Sequence, residues 1–285
     1  MDMMEINFSV SICVYDGNKP EEFNAAMLSI INQTVIPTEI VLVVDGPINN
    51  GLEAVVEEAK DKAEEHGIEF KIVRLENNLG HGEARRRGLE VCEYPFVAIM
   101  DADDLSVPDR FEKQLEFLEK NPNVSVVGGY IMEFVTSQNP TDISNPAGKR
   151  VVPQTDIEIK EYMKRRCPMN QVTVMLNKAD VEECGGYIDW YCEEDYYLWI
   201  RMALCNKEFG NIPETLVNVR VGKEMYRRRG GWKYFRSEAK LQRFMLSNGI
   251  ITLVRYVVNL FERFAIQVMM PAAVRSVVFS ILARK

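Results

Sequence analysis

The sequence lacks several features that would assign it to common protein classes. Its six cysteines are scattered and no two form a Cys-x-x-Cys pair, which disfavours a zinc site or disulfide framework and predicts reduced thiols in the cytoplasm. No basic segment precedes the apolar residues near the N-terminus, so a secretory signal is not expected. There is no internal repeat or low-complexity tract. A globular protein of a reducing compartment is therefore expected.

The composition is that of a folded protein, but the charge is unevenly distributed. Of 285 residues, 47% are hydrophobic and 27% are charged, which does not suit a disordered chain. From Arg220 to the C-terminus there are 14 basic residues against three acids, whereas the residues before it carry 20 basic and 39 acidic side chains. An acidic body with a basic tail indicates an anionic partner, either a nucleic acid or a phospholipid surface.

The first half of the chain alternates between β-branched and helical segments. Strands are expected at Phe8–Val14, Ile40–Asp45, Phe70–Leu75, Phe96–Asp101 and Val124–Tyr130. The helices expected around them are Glu21–Asn32, Gly51–His66, Gly82–Cys92 and Pro108–Lys120. This alternation predicts an α/β fold with parallel strands and helices on both faces. A loop is expected at Ser137–Pro153, followed by helices at Asp156–Arg166 and around Glu194–Cys205.

Polar residues follow three of the predicted strands. They are Tyr15 after the first, Asp45 after the second and the acidic segment Asp101–Asp104 after the fourth. Ligands of open α/β sheets bind beyond the carboxyl ends of the strands. Three carboxylates within four residues are suited to Mg²⁺ or Mn²⁺ bound together with phosphate oxygens. On each motif alone, the alternatives are a solvated turn or a helix cap before Pro108 for the acidic segment, and an Asx turn for Asp45.

Three further motifs suit phosphate or a catalytic base. Glycines and arginines at Glu76–Gly88 favour phosphate, although their spacing is not that of a dinucleotide-binding loop. The acids Glu193–Asp195 precede an aromatic helix, where they either supply a general base or cap the helix. The segment Met225–Phe235 joins arginines to aromatics and suits a diphosphate with a sugar or base; a nucleic-acid site and a solvated charge run are its alternatives.

Taken in this order, the motifs resemble the family 2 glycosyltransferases, which are inverting enzymes with a GT-A fold. The resemblance covers about residues 8–220 and is carried by FSVSICVYDGNKPEEFNAAMLSIINQT, EIVLVVDG, ENNLGHGEARRRGL, FVAIMDADDLSVPDRFEKQL, VSVVGGYI and GGYIDWYCEEDYYLWIRM. The segments VDGP, NIPETLV and YRRRGG are similar to the branch that builds capsular polysaccharides and exopolysaccharides, of the amylovoran-biosynthesis type. The resemblance implies a Rossmann-like mixed sheet with helices on both faces.

The resemblance also implies an activity. The enzyme would transfer a hexose from a nucleotide sugar, with a UDP-sugar expected, to a lipid-linked saccharide in surface polysaccharide biosynthesis. The reaction would be a single inverting displacement with Mn²⁺ or Mg²⁺ as cofactor. A nucleotidyltransferase of nucleotide-sugar synthesis and a non-catalytic phosphate-binding or lipid-binding module are the competing hypotheses.

Roles for individual residues follow from the same resemblance. Asp195 would be the catalytic base, and Asp103 and Asp104 would hold the metal. Trp190 and Glu194 are the residues expected to contact the acceptor. Because Glu194 is an acid at a helix start beside the proposed base, it is expected to tolerate replacement by Gln. The nucleotide sugar would be bound by Tyr15, Asp45, Arg85, Asp101, Asp103, Arg227, Arg228 and Arg229. The sequence departs from the family where Asp-Asp-Gly is usual after the second strand and Val44-Asp45-Gly46 stands instead.

The chain is expected to divide into a catalytic domain, residues 1–220, and a basic helical extension, residues 221–285. Residues 249–283 are apolar, but their longest uncharged run, Phe264–Val274, is well short of the ~20 residues that a spanning helix needs. Polar residues recur there at three-residue and four-residue steps, which predicts an amphipathic helix. A helix packed on the protein's own core or in a dimer interface is the alternative.

The partner predicted for this extension is an anionic membrane surface and not a nucleic acid, because the segment is both cationic and apolar. The expected location is cytoplasmic, peripheral on the inner face of the cell membrane. An oligomer is compatible with the sequence.

Overall fold

The structure is a computed structural model that describes residues 6–222 and 230–270 of the chain. Its strands are β1 (Phe8–Val14), β2 (Glu39–Val44), β3 (Glu69–Arg74), β4 (Phe96–Asp101), β5 (Leu105–Ser106), β6 (Val124–Phe134), β7 (Pro146–Arg150), β8 (Met175–Asn177) and β9 (Glu208–Arg220). The α-helices in the described residues are α1 (Pro20–Ile31), α2 (Asn50–Glu65), α3 (His81–Val91), α4 (Arg110–Lys120), α5 (Asp156–Met163), α6 (Lys178–Glu183), α7 (Glu194–Leu204), α8 (Trp232–Ser247) and α9 (Leu253–Phe264). A π-helical turn at Ala265–Met269 follows α9.

These strands form one mixed sheet. Its order is β3-β2-β1-β4-β8-β6-β9-β5, and β7 pairs with β6. β1 pairs in parallel with β2 and β4, and β2 pairs in parallel with β3. β8 runs antiparallel to both β4 and β6, whereas β9 runs parallel to β6 and antiparallel to β5. The predicted α/β fold with a mixed sheet is confirmed, and its β1–β4 half is parallel as expected.

Helices cover both faces of the sheet because the central strands are apolar on both sides. Every residue of β2 is buried, and its side chains divide between two hydrophobic clusters. The first cluster packs the sheet against α1, α2 and α4 through Phe23, Leu52 and Phe111. The second packs it against α3, α5, α7 and α8 and includes Leu89 and Trp199. Continuous apolar strands are typical of parallel sheets that are buried on both sides.

The structure differs from the predicted elements in the second half of the chain. The segment Ser137–Pro153 is not all loop, since Pro146–Arg150 forms β7 against β6. β5, β8 and the 13-residue β9 were not predicted either. β9 contains Gly210 and Pro213, and its register with β6 shifts at three places. These irregularities hide the period of two by which a strand is recognised.

Helices follow residue 220, as predicted for the C-terminal part of the chain. α8 contributes Leu241 and Met245 to the second hydrophobic cluster, and α9 packs on α8. Among residues 6–222 and 230–270, no helix combines the length and the apolar character needed to cross a membrane. The boundary at residue 220 stays a prediction.

The turn after β2 depends on a glycine. Gly46 has a φ of +85°, and a Cβ there would lie 2.6 Å from the backbone nitrogen of Asn78. Only glycine adopts this backbone at low cost while a second loop approaches so closely. The turn that carries Asp45 therefore lies tightly against the loop before α3.

We expect Gly46→Ala to lower the free energy of unfolding by about 2–4 kcal/mol, because a left-handed backbone costs about 1–2 kcal/mol and the close contact adds to it. Gly67→Ala is the matched control, since Gly67 has a φ of +74° but a Cβ there would meet nothing within 4 Å. Urea unfolding measures both. Equal losses for the two variants would contradict the close approach of the two loops.

Candidate active site

The predicted site residues meet at the carboxyl edge of the parallel strands. Val14 of β1 is paired with Val44 of β2, and Cys13 is paired with Asp101 at the end of β4. Tyr15, Asp45 and Asp101 therefore emerge at the same edge, with β1 between the two acids. The expectation that these strand ends share one edge is confirmed by the register.

A pocket of about 210 Å³ opens at this edge, and both Tyr15 and Asp45 line it. Asp45 is 5% exposed, and its Oδ1 and Oδ2 accept hydrogen bonds of 2.7 and 3.0 Å from the backbone nitrogens of Leu79 and Gly80. Asp45 therefore fixes the loop that leads into α3. Each carboxylate oxygen has a second acceptor position, so a contact from Asp45 to a nucleobase stays a prediction. The remaining lining residues are Cys13, Val14, Asn78, Gly80, His81 and Ala84.

Arg85 on α3 is the central cation of the site. Its Nη2 lies 2.9 Å from Asp101 Oδ1, and its Nη1 lies 2.6 Å from Glu194 Oε1. Burial alone would lower the pKa of Arg85, but the two carboxylates outweigh it and hold that pKa above its usual value. Burial likewise would raise the pKa of Asp101, but Arg85 and other cations hold it below its usual value. A contact from Arg85 to the donor stays a prediction, because both ends of its guanidinium already have partners in the chain.

The negative charges of Asp103 and Asp104 are less well compensated than that of Asp101. Burial, followed by the charges of Asp101 and Glu22, raises the pKa of Asp103 to about 6. Burial and the two neighbouring aspartates raise the pKa of Asp104 well above its usual value. Asp104 Oδ1 accepts a hydrogen bond of 2.7 Å from the backbone nitrogen of Arg220. Within residues 6–222 and 230–270 neither aspartate has an ion-pair partner, and Arg220 Nε lies 3.8 Å from Glu22 instead.

Arg220 is a residue of the site that the sequence did not reveal. Its Nε donates to the carbonyl oxygen of Asp103 at 2.8 Å, and its Nη1 donates to Thr136 Oγ1 at 2.8 Å. Its Nη2 donates to the carbonyl oxygen of Pro140 at 2.7 Å. Arg220 thus joins the acidic turn after β4 to the segment after β6. Its position at the end of the unrecognised β9 explains why sequence patterns did not identify it.

The second acidic group lies at the start of α7. Asp195 is half-buried, and its Oδ1 accepts a hydrogen bond of 2.7 Å from the backbone nitrogen of Tyr196. Burial, followed by the charge of Glu194 and opposed by Arg85, raises the pKa of Asp195 to about 6. Glu193 is buried, and burial together with Glu238 raises its pKa well above the usual value.

The ion pair with Arg85 changes the expectation for Glu194. The side chain of Glu194 is buried, and a glutamine in its place would leave Arg85 Nη1 without a charged partner. Replacement of Glu194 by Gln is therefore no longer expected to be neutral, and an acceptor contact from Glu194 stays a prediction.

Trp190 lies between α7 and α8. Its Nε1 donates to the carbonyl oxygen of Ser237 at 3.3 Å, and Lys240 Nζ lies 4.0 Å from its ring centroid. The ring centroid of Tyr197 is 4.4 Å from that of Trp190. Its predicted contact with the acceptor is untested. The predicted diphosphate ligands Arg227, Arg228 and Arg229 lie outside the described residues.

Another group of carboxylates lies at the opposite end of the strands. Oxygens of Glu39, Glu69 and Glu93 lie within 4.8 Å of one another. Lys71 Nζ is 2.5, 3.2 and 2.6 Å from these three carboxylates. Because one ammonium already contacts all three carboxylates and the pocket opens at the other end of the strands, we do not assign this group to the catalytic centre.

The fold is the GT-A fold that the sequence predicted. The fold is shared with the S. aureus TarS fragment 1–349 in complex with UDP-GlcNAc, at a TM-score of 0.63 and 16% identity over 91% of this chain and 73% of that one. It is also shared with the mannosyltransferase PcManGT from Pyrobaculum calidifontis in complex with GDP-Man and Mn²⁺, at a TM-score of 0.58 and 16% identity over 97% and 80% of the two chains.

Residues 9–183 match the family described as glycosyl transferase family 2, and the chain belongs to it. It is 39% identical over 254 residues to an uncharacterized glycosyltransferase of Haemophilus influenzae, covering 87% of this chain and 91% of that protein. It is 35% identical over 240 residues to the amylovoran biosynthesis glycosyltransferase AmsE of Erwinia amylovora, covering 84% and 86%. The predicted resemblance is confirmed: the chain is a glycosyltransferase, neither a nucleotidyltransferase nor a binding module.

A third relative carries a more specific name. The chain is 30% identical over 280 residues to an Escherichia coli protein, covering 98% of this chain and 97% of that one. That protein is named UDP-Gal:alpha-D-GlcNAc-diphosphoundecaprenol beta-1,3-galactosyltransferase.

We expect Arg85→Gln to lower the free energy of unfolding by about 2–4 kcal/mol near neutral pH, because two largely buried carboxylates would lose their common cation. Arg86→Gln is the matched control on the same helix. Arg86 pairs with Glu83 and Glu90 on an exposed face, where such pairs are worth less than about 1 kcal/mol. Urea unfolding compares the two, and equal losses would contradict a central role for Arg85.

Proposed function

We propose that the chain transfers a hexose from a UDP-sugar to a lipid-linked saccharide in surface polysaccharide biosynthesis, by a metal-dependent, inverting single displacement. One observation carries the proposal: the guanidinium of Arg85 contacts Asp101 of the acidic turn and Glu194 beside Asp195. Two acidic groups with different tasks therefore belong to one site. In-line inversion needs a base on one side of the sugar carbon and leaving-group stabilisation on the other.

The names of relatives support the substrate class. The E. coli relative is named for a UDP-sugar donor and a diphosphoundecaprenol-linked acceptor, and the Erwinia relative is named for amylovoran biosynthesis. We infer the same classes of donor and acceptor for this chain. An acceptor of this kind resides in a membrane, so the enzyme would act as a peripheral protein on the cytoplasmic face.

The metal would be Mn²⁺ or Mg²⁺, held by Asp103 and Asp104. The donor set fits, because carboxylate oxygens are the ligands that such hard cations prefer. Asp101 has its charge balanced by Arg85, whereas the two following aspartates have no ion-pair partner among the described residues. When bound, the cation supplies stabilisation of the charge that grows on the leaving diphosphate. The occurrence of Mn²⁺ with GDP-Man in PcManGT supports a cation in a site of this fold.

Asp195 would remove the proton from the acceptor hydroxyl. Its carboxylate is half-buried at the start of α7, so an acceptor can reach it while the helix holds it in position. Burial raises its pKa to about 6, which leaves it ionised near neutral pH but more basic than an ordinary aspartate. Tyr15 and Asp45 would line the nucleobase end of the donor pocket.

The metal prediction is that EDTA abolishes turnover and that Mn²⁺ or Mg²⁺ restores it. Asp103→Asn and Asp104→Asn should each reduce turnover at least about 100-fold, because each would lose an anionic ligand of the cation. Asp109→Asn is the control, since Asp109 is an acid near the same turn whose carboxylate pairs with Lys113 on the surface. Release of nucleoside diphosphate from a panel of nucleotide sugars is the measurement. Turnover that survives EDTA would exclude a required cation.

The base prediction is that Asp195→Asn reduces turnover at least roughly 100-fold with donor affinity nearly unchanged, because the amide keeps the size of the side chain but cannot accept the proton. Asp189→Asn, at an exposed acid of the preceding segment, is the control and should stay within a few-fold of wild type. Steady-state rates and donor titrations decide the matter. A loss of donor affinity that matches the loss of rate would make Asp195 structural.

The same base predicts how the rate depends on pH. Only ionised Asp195 accepts a proton, so turnover at saturating metal and donor should rise as the pH increases through about 6 and level off above it. Saturating metal keeps the carboxylates of the metal site ionised, so that their titration does not contribute to the rise of the rate with pH.

A further inference from the structure

The orientation of α9 is the reverse of the usual one for a helix on a globular protein. Its polar residues Asn259 and Arg263 are 0% and 9% exposed. Its apolar residues are exposed: Leu253 64%, Val254 74%, Val257 57%, Val258 39% and Phe261 72%. A surface helix normally buries its apolar side and presents its polar side to water. α9 therefore leaves an apolar face uncovered among the described residues.

Hydrogen bonds on the inner side fix this orientation. Asn259 Nδ2 donates to Gln242 Oε1 at 2.7 Å and to the carbonyl oxygen of Lys164 at 2.9 Å. Arg263 Nη2 donates to the carbonyl oxygen of Arg165 at 2.7 Å, and its Nε lies 3.0 Å from Glu238 Oε2. Rotation of α9 to bury its apolar face would break these contacts. The outward apolar face is therefore built into the packing of the hairpin formed by α8 and α9.

Cations are also exposed on α8, the other helix of the hairpin. Exposed basic residues recur on α8 at three-residue and four-residue steps: Lys233, Arg236, Lys240 and Arg243. Within the described ranges, Arg236 and Arg243 have no acidic partner. Residues 271–285 add Arg275, Arg284 and Lys285 and contain no acid. Glu262 is an exposed acid on α9, but the hairpin together with residues 271–285 has more basic than acidic residues. Exposed apolar side chains on a segment of net positive charge have the chemistry that an anionic phospholipid surface binds.

We propose that α9 is a lipid-docking helix whose apolar face lies in the interfacial layer of an anionic phospholipid bilayer. The proposal deepens the proposed function, because it names the surface by which the enzyme would reach a membrane-held acceptor. It also assigns the two sides of the predicted amphipathic helix, since Asn259 and Arg263 face the protein. A second copy of the chain is the less suitable occupant, since it would bring two sets of cations together.

The docking helix is connected to the acceptor side of the site. Ser237 on α8 donates from Oγ to the carbonyl oxygen of Tyr191 at 2.7 Å, and Lys240 lies over the ring of Trp190. Both partners belong to the segment directly before Asp195. A bilayer bound by α9 would therefore lie on a hairpin that contacts the segment carrying the proposed base.

The test is flotation of the full chain with phosphatidylcholine vesicles that contain about a quarter phosphatidylglycerol. We expect wild type to float with these vesicles at low salt, and to bind less at high salt and to vesicles of phosphatidylcholine alone. Phe261→Asp should lower the bound-to-free ratio at least about tenfold, because an apolar anchor is lost and an anion is added. Ile157→Asp is the matched control, since Ile157 on α5 is 82% exposed and lies outside the hairpin.

Several outcomes overturn the proposal. They are the absence of flotation by wild type, an equal loss in both aspartate variants, and a wild-type dimer that Phe261→Asp dissociates in sedimentation without any vesicle binding. Unfolding midpoints show whether the variants are folded, and substitution at such exposed positions leaves the core intact. Release of nucleoside diphosphate by wild type without vesicles tests the proposed function separately. Flotation without turnover would overturn only the function, and turnover without flotation only the docking surface.

Discussion

The site depends on how negative charge is compensated where the parallel strands end. Carboxylates from β4 and from the start of α7 converge there, and they would repel one another in surroundings that exclude water. Arg85 compensates part of this negative charge, because it forms ion pairs with one member of each group, Asp101 and Glu194. Asp103 and Asp104 keep an excess of negative charge, which suits a cation that arrives with the donor. Asp195 keeps a pKa of about 6, which suits a base.

The position of Arg85 is determined by contacts that begin on the neighbouring strand. Asp45 holds the backbone nitrogens of Leu79 and Gly80 at the entry to α3, one turn before Arg85. Gly82, in the first turn of α3, allows the segment before α7 to approach, since a Cβ there would lie 3.1 Å from the Cα of Asp189. The residue expected to contact a nucleobase thus also orients the cation that joins the two acidic groups. The turn after β2 and the start of α7 are thereby connected through α3.

Sequence patterns predicted best those features that depend on residues near one another in the chain. β1 has the bounds expected from its apolar residues, and the acids after β2 and β4 are at one edge because parallel strands end together. Sequence patterns predicted less well where function depends on distant contacts. The partners of Arg85 are 16 and 109 residues away along the chain, and Arg220 is 117 residues from Asp103, the residue whose carbonyl it contacts. Contacts between residues so far apart in the chain produce no local period or motif that a sequence analysis can recognise.

The orientation of α9 is a second feature that the sequence pattern alone does not predict, and its reason is energetic. Its sequence has a polar and an apolar side, and the hydrophobic effect alone would turn the apolar side inward. The protein instead pairs Asn259 with Gln242 and Arg263 with Glu238 inside the hairpin. Buried polar groups are costly without their partners, so an apolar surface facing inward would leave Gln242 Oε1 without its donor and Glu238 without its cation. The polar contacts therefore specify which side faces outward, and the exposed apolar side is a consequence of that specification.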